Sequence, residues 1–246
     1  MTPIEWIFLT VIIAIAGVVR GCIGFGFSAL VVVSSTLFLD PTTVVPMLAI
    51  LEIIASVHMA ITTWRDVERK ILTYLMFGAI IATPLGVYVL VKLPADSIRL
   101  LLSLIILILS GLLANGWQYR GRRGPAIFFS LGLLSGACNG AAAVGGLPVA
   151  TVLTAINLSM ASMRATLVMF FFGTDIIFIF SASGHGLFTQ SLLIMSTLMM
   201  LPMTLGVHFG GRLFSVVPEK HLRSGVIGLL MLLSLIGLVR AVIGHF

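Results

Sequence analysis

Arg20-Gly21-Cys22-Ile23-Gly24-Phe25-Gly26-Phe27-Ser28 is the stretch that decides the fold, because it interrupts an apolar run from Ile4 to Leu39. A straight helix over that run, at ~1.5 Å per residue, would be roughly 54 Å long. The hydrocarbon core of a bilayer is only about 30 Å thick. The run must therefore break, and the glycines beside Arg20 indicate where it does so.

A second interrupted apolar segment lies about half a chain later. It contains Ser135-Gly136-Ala137-Cys138-Asn139-Gly140 and then Gly145-Gly146-Leu147-Pro148. Interrupted apolar segments at matching positions of two halves are typical of the binding site of a secondary transporter.

The composition indicates an all-α polytopic membrane protein that forms one integral membrane domain. The chain is 59% hydrophobic and 9% charged, and its mean hydropathy is +1.21. So few charges could not cover the surface of a soluble domain of this length. The net charge of +6 is expected to report which loops stay in the cytoplasm, and no nucleic-acid partner is expected.

The chain is predicted to consist of two repeats, residues 1–124 and 125–246. Gly26-Phe27-Ser28 aligns with Gly146-Leu147-Pro148, and Gly86-x7-Pro94-x4-Arg99 aligns with Gly210-x7-Pro218-x4-Arg223. These offsets of about 120 residues indicate an internal duplication. The first repeat is predicted to comprise a broken hairpin, 4–39, and spans 42–63, 71–91 and 98–117. The second comprises a hairpin, 126–157, and spans 163–182, 187–211 and 222–243.

The loop charges favour broken segments that enter the membrane and return to the same side. A single crossing by each segment would divide the basic residues evenly between the two faces. Return on the same side instead groups most of them on one face, which the positive-inside rule makes cytoplasmic. That group is Arg65, Arg69, Lys70, Arg120, Arg122, Arg123, Arg164, Arg212, Lys220 and Arg223; Lys92, Arg99 and Arg240 lie opposite. The second repeat is then inverted, and both termini lie outside the cytoplasm. Two full crossings per hairpin would give the same parity, but each limb would then be short for a span.

The breaks suit a small anion. Backbone N–H groups at a helix start have no intrahelical partner, and the helix dipole adds positive charge there. Glycines let the backbone approach a bound oxyanion closely, and hydroxyl or amide side chains donate further hydrogen bonds. The candidate substrate-binding residues are Arg20, Gly24, Gly26, Ser28, Asn139, Gly140, Gly145 and Gly146. The alternatives are that the glycines only permit close helix packing and that Arg20 snorkels to an interface or caps its helix.

Two acidic residues, Glu52 and Asp175, lie in the middle of predicted spans and are separated by about the repeat offset. A carboxylate in the membrane interior is disfavoured when ionised, so either acid could take up and release a proton during transport. His58, six residues after Glu52, is a further candidate for proton coupling. The alternative is that the acids are structural hydrogen-bonding groups.

Several signatures of other protein classes do not occur in the sequence. The chain has no G-x-x-x-x-G-K-[ST] loop, no H-E-x-x-H motif and no G-x-S-x-G motif. These motifs are typical of ATPases, zinc proteases and serine hydrolases. No enzymatic activity, cofactor or metal site is therefore expected.

The sequence resembles the TauE/SafE family of sulfite-exporter-like permeases of bacterial inner membranes. The resemblance covers essentially the whole chain and rests on the two Gly-rich stretches, 21–27 and 136–148, the basic loop at 118–124, and the Gly-x7-Pro-x4-Arg ending of each half. It implies transport, without ATP, of small sulfur-containing anions such as sulfite, sulfonates or sulfoacetate.

We therefore expect a secondary transporter that moves a small organosulfur or sulfite-like anion by alternating access and couples it to protons. The expected partners are this anion, membrane lipid and a second copy of the chain in a homo-oligomer. A passive anion channel and a non-transporting membrane scaffold are the alternatives.

Overall fold

The computed structural model describes residues 2–115, 124–156 and 158–213, together with the single positions 228, 231, 232, 235 and 238. Over these residues the chain is helical, and no strand is found in them. Seven of the helices are long and apolar enough to cross a membrane. The prediction of an all-α polytopic membrane protein is confirmed.

The helices follow one another with short connections. In chain order they are α1 Pro3–Ile23, α2 Phe27–Ser35, α3 Pro41–Thr63, α4 Arg69–Lys92, α5 Ala95–Ala114, α6 Pro125–Ala142, α7 Gly146–Ala155, α8 Met160–Ser183 and α9 Gln190–Leu213. A single 3₁₀ turn, Trp64–Asp66, joins α3 to α4.

The two breaks lie between α1 and α2 and between α6 and α7. Gly24 ends α1 with φ of 82°, a left-handed conformation that glycine adopts without strain. Ala143 ends α6 with φ of 56°, although its side chain disfavours that region. Residues 135–140 belong to α6, so the second break lies at 143–145, after Gly140.

The limbs of each broken segment differ in length, and the expectation that all limbs are too short to span is wrong for the first ones. The 21 residues of α1 extend over about 31 Å and the 18 residues of α6 over about 27 Å. The second limbs, α2 with 9 residues and α7 with 10, are short. Each broken segment is thus a long helix followed by a short one.

Small residues bring two pairs of helices into close contact. Gly78 and Gly86 of α4 lie against the backbone of α6 near Phe129 and Ala137. Gly17 and Gly21 of α1 lie in the same way against the backbone of α9. Glycines permit such close approach of helices in a membrane. α1 packs on α9 and α6 on α4, so each long first limb is held by a helix from the other half of the chain.

The contacts also give the directions of the helices. Rising residue numbers in α4 meet rising numbers in α6, so these two helices run in the same direction. α8 also runs with α4, because Thr166 contacts Glu68 and Gly173 contacts Met76. Since α6 and α8 start on the same side, α7 leads the chain back to that side. The same reasoning applies to α1, α2 and α3, because α1 runs with α9 and the ends of α3 and α9 lie together.

These directions agree with a hairpin that returns to its own side in each half. The inversion and the division into repeats at residue 124 stay predictions. Several predicted features lie outside the described residues: the loop bearing Arg120, Arg122 and Arg123, the turn 216–220, the last span 222–243, and Pro218, Arg223 and Arg240.

Candidate functional site

The two breaks meet at one narrow crevice inside the helical bundle. Gly26, Ser28 and Ala29 line it from the first break. Ala143, Val144, Gly146 and Leu147 line it from the second break, together with Phe171 of α8. Its volume is about 10 Å³, roughly the space that one water molecule needs. The structure therefore brings together residues that lie about 120 positions apart in the sequence.

The start of α2 at this crevice is held by an acid from α3. Gly26 precedes α2 in a left-handed conformation, with φ of 89°. Ser28, the second residue of α2, donates a hydrogen bond from its hydroxyl to Glu52 Oε1. Glu52 thus occupies the positive end of the α2 dipole, where an anion is stabilised.

The same carboxylate pairs with a buried arginine. Arg20 Nη2 lies 2.7 Å from Glu52 Oε2 and donates a hydrogen bond of 3.0 Å to Ser56 Oγ. Arg20 is 0% exposed and Glu52 2% exposed, so Arg20 does not reach an interface. Nε and Nη1 of Arg20 have no hydrogen-bond partner among the described residues. A buried cation with unsatisfied donors is costly unless another group also uses it.

Phe171 borders both the crevice and the ion pair. The Arg20 guanidinium carbon lies 4.4 Å from the centre of the Phe171 ring, within the range of a cation–π contact. The same ring lies against Gly146, where a Cβ atom would collide with it. Access from the crevice to Arg20 therefore depends on the position of this ring.

The second half contains a corresponding pair. Asn139 Nδ2 donates a hydrogen bond of 3.0 Å to Asp175 Oδ1. Asn139 lies three residues before the end of α6, as Arg20 lies three residues before the end of α1. Asp175 is 2% exposed and lies within electrostatic range of both Glu52 and Arg20. The first half thus places a cation, Arg20, beside Glu52, whereas the second half places a neutral amide, Asn139, beside Asp175.

The remaining predicted site residues do not line the crevice. Gly24 packs on the side chain of Arg164, and Gly140 packs on the backbone of α4 at Thr83. The carbonyl of Gly145 accepts a hydrogen bond from Ser135 Oγ. His58 is exposed and lines a different cavity, so the structure does not bring it to Glu52.

Two residues near the site were missed by the sequence analysis. Phe171 lies four residues before Asp175, one helical turn along α8, and that spacing would have placed it on the same face. Arg164 was considered only as a topology marker, but its Nη2 donates a hydrogen bond of 2.9 Å to the carbonyl of Gly21 at the end of α1.

The arrangement suits an exchange between two anions. Arg20, the Ser28 hydroxyl and the start of α2 all face one carboxylate, and these are the groups that would stabilise an oxyanion. Three ionisable groups, Arg20, Glu52 and Asp175, share the buried region. The protonation of an acid there would change how strongly an external anion is held.

Comparison with known proteins gives one match. Residues 9–236 match the family model described as Sulfite exporter TauE/SafE, which covers most of the chain. No curated protein and no solved structure matches the chain. The described part of the chain contains seven helices that could span a membrane. With a family match of this extent, the chain belongs to the TauE/SafE sulfite exporter family of membrane transporters.

Proposed function

We propose that the protein is a secondary transporter of a small sulfur oxyanion, such as sulfite or a sulfonate, and that it works by alternating access coupled to protons. The observation that carries this proposal is the position of Glu52. Its carboxylate lies against Arg20 and the start of α2, beside the crevice where the two breaks meet. It fills the place that an external oxyanion would take.

The proposed coupling follows from competition for these donors. When Glu52 is ionised, it pairs with Arg20 and accepts the hydrogen bond from Ser28. Its negative charge then repels a second anion at the same place. When Glu52 takes up one proton, the neutral carboxyl group loses most of its attraction for Arg20. The transported anion then takes the place beside Arg20 and Ser28. Anion and proton therefore bind together and leave together.

The crevice must widen for this exchange. Its volume of about 10 Å³ is close to that of one water molecule and too small for a sulfur oxyanion. Phe171 separates the crevice from Arg20, so movement of this ring is the smallest change that connects them. Gly26 and Gly146 let the backbone at both breaks approach the anion.

The second acid, Asp175, has a supporting role. It accepts a hydrogen bond from Asn139 and adds negative charge near Glu52. Among the described residues, Asp175 makes no hydrogen bond or ion pair with Arg20 or Ser28, so it does not hold the donors that the anion needs. We further propose that the transporter lies in the inner membrane of a bacterium, with both termini outside the cytoplasm, because the predicted topology gathers most basic residues on one face.

Uptake by proteoliposomes tests the proposal. Purified protein is reconstituted, and uptake of radiolabelled sulfite and sulfoacetate is measured with and without an inwardly directed proton gradient, against protein-free liposomes. The proposal expects saturable uptake that the gradient stimulates. Unitary currents without saturation would indicate a channel. The absence of any anion flux across a panel of sulfur oxyanions would contradict transport and favour a scaffold.

A further inference from the structure

A second cavity, much larger than the central crevice, lies at the face where α3 and α9 end. Its volume is about 600 Å³, within the range of small-molecule sites. The described residues that line it are His58, Met59, Ile61, Thr62, Arg164, Val207, His208, Gly211 and Arg212. We call this cavity the vestibule.

Four of the nine lining residues are arginine or histidine, contributed by α3, α8 and α9, and none of these nine is acidic. Arg164 and Arg212 carry permanent charge, since guanidinium groups stay protonated in proteins. His58, His208 and Arg212 are exposed. A concave surface lined by one sign of charge attracts and concentrates ions of the opposite sign.

The vestibule also adjoins the first break. Arg164 lines the vestibule, packs over Gly24 and bonds to the carbonyl of Gly21. Gly21 is the immediate neighbour of Arg20, and the charges of Arg164 and Arg20 lie within electrostatic range. A continuous series of cationic groups thus leads from the open cavity toward the ion pair with Glu52.

We infer that the vestibule is a second anion-binding site, which takes small sulfonate- or sulfite-like oxyanions before they pass to the central crevice. This inference rests on the proposed function for its role in transport. The vestibule is open in this conformation while the central crevice is closed, and it lies at the face where α3 ends near Arg65 and α4 begins at Arg69.

A competing explanation is that these cations only serve the helix ends. α1, α3 and α9 all end at this face, and the C-terminal end of a helix attracts positive charge. If the cations did no more than neutralise the helix ends, the vestibule would show no preference for anions. The experiment below separates the two explanations.

The test uses a single cysteine in the vestibule. Cys22 and Cys138 are buried and are replaced by alanine, and Thr62→Cys supplies an exposed thiol. The full-length protein is labelled with two methanethiosulfonates, one bearing a sulfonate and one bearing a trimethylammonium group. The ratio of the two labelling rates is measured in this background, with Arg212→Gln, and with Arg69→Gln. Arg69 is an exposed arginine at the start of α4 outside the vestibule, so it controls for loss of one surface charge.

We expect Arg212→Gln to lower the ratio of sulfonate to ammonium labelling by about threefold, as loss of one charge several ångströms away in a hydrated cavity predicts. Arg69→Gln should leave the ratio unchanged. Methanesulfonate should slow labelling in a saturable way that chloride at equal ionic strength does not reproduce. Equal ratios in all three proteins, or protection that chloride reproduces fully, would overturn the inference.

Transport kinetics add a second readout. Arg212→Gln should raise KM for the anion about threefold and leave the maximal rate unchanged, because the central site is intact. An unchanged KM in a variant that still transports would contradict only the inference that the vestibule binds the anion, and not the proposed transport function. Absence of transport in the wild-type protein would contradict the proposed function instead. The labelling experiment would still test whether the vestibule binds anions.

Discussion

Arg20 and Glu52 form an ion pair with 2.7 Å between Nη2 and Oε2, inside the membrane domain and shielded from solvent. The corresponding positions of the second half hold Asn139 and Asp175, whose contact is a hydrogen bond of 3.0 Å. Among the described residues, the shared interior thus contains one permanent cation, Arg20, and two acids, Glu52 and Asp175. Neutralising one acid by a proton makes room for one external negative charge.

Replacement of Glu52 by glutamine should make anion binding independent of pH. In the wild type, binding that takes up one proton weakens about tenfold for each unit rise in pH. Glutamine resembles the protonated acid, so Glu52→Gln should bind the anion at neutral pH at least as well as the wild type. The affinity is measured by thermal shift against methanesulfonate between pH 6 and 8.

Glu68→Gln is the matched control, because Glu68 is an exposed acid before α4. It should keep the pH dependence of the wild type. A Glu52→Gln protein whose affinity varies with pH as steeply as that of the wild type would contradict the assignment of the proton to Glu52.

A double-mutant cycle on Arg20 and Glu52 should reveal strong coupling. Arg20→Gln leaves a buried carboxylate unpaired, which costs roughly 3–5 kcal/mol of stability. The double variant Arg20→Gln/Glu52→Gln should recover most of that loss and still fail to transport, because the anion needs the cation. Unfolding in mixed detergent and SDS gives the free energies.

The same cycle on Arg99 and Asp96 provides the comparison. These residues also lie 2.7 Å apart, but their side chains are 26% and 50% exposed. Exposed pairs couple by about 0–1 kcal/mol. Equal coupling free energies in the two cycles would contradict the prediction that burial makes the Arg20–Glu52 pair strongly coupled.

Asp175→Asn should leave gradient-stimulated uptake in place. An asparagine keeps the hydrogen bond with Asn139, and Asp175 does not compete for the donors that hold Glu52. His58→Gln should also leave it in place, because His58 lies in the vestibule. Uptake with and without a proton gradient checks both variants. Loss of stimulation in Asp175→Asn as complete as in Glu52→Gln would assign the proton to the second acid.

Gly146→Ala should lower transport by at least tenfold, because the new Cβ atom would overlap the Phe171 ring and crowd the crevice that must widen for the anion. Phe171→Ala in the same protein removes the collision and should restore part of the flux. Gly184→Ala, where no neighbouring atom lies within 4 Å, is the control and should transport normally. Normal flux in Gly146→Ala with unchanged expression would show that the anion does not pass this point.

Much of the fold follows from lengths and composition. The run from Ile4 to Leu39 is too long for the bilayer, so a break near Gly24 had to occur. The place of the second break was harder to predict. Gly136 and Gly140 look like break residues, but they pack on the backbone of α4 near Ala79 and Thr83. Glycines can either break a helix or let two helices pack closely, and only the tertiary contacts show which role a given glycine has.

The sequence predicts which charged residues belong to the site, but it does not predict which side chains contact one another. Arg20, Glu52 and Asp175 stood out because ionisable residues in a membrane interior are rare. That Arg20 pairs with Glu52 depends on where the end of α1 lies relative to α3, which a single sequence does not reveal. Helical spacing places both Phe171 and Phe178 on the face of α8 that carries Asp175. The sequence alone does not reveal that Phe171 is the one that contacts Arg20.

The number of protons taken up when an anion binds tests the account most directly. Purified protein in weakly buffered detergent solution near pH 7 is mixed with saturating methanesulfonate, which does not itself titrate there, and the pH change is followed with an indicator dye. The account predicts uptake approaching one proton per bound anion in the wild type and none in Glu52→Gln. Anion binding to the wild type with no proton uptake would contradict it.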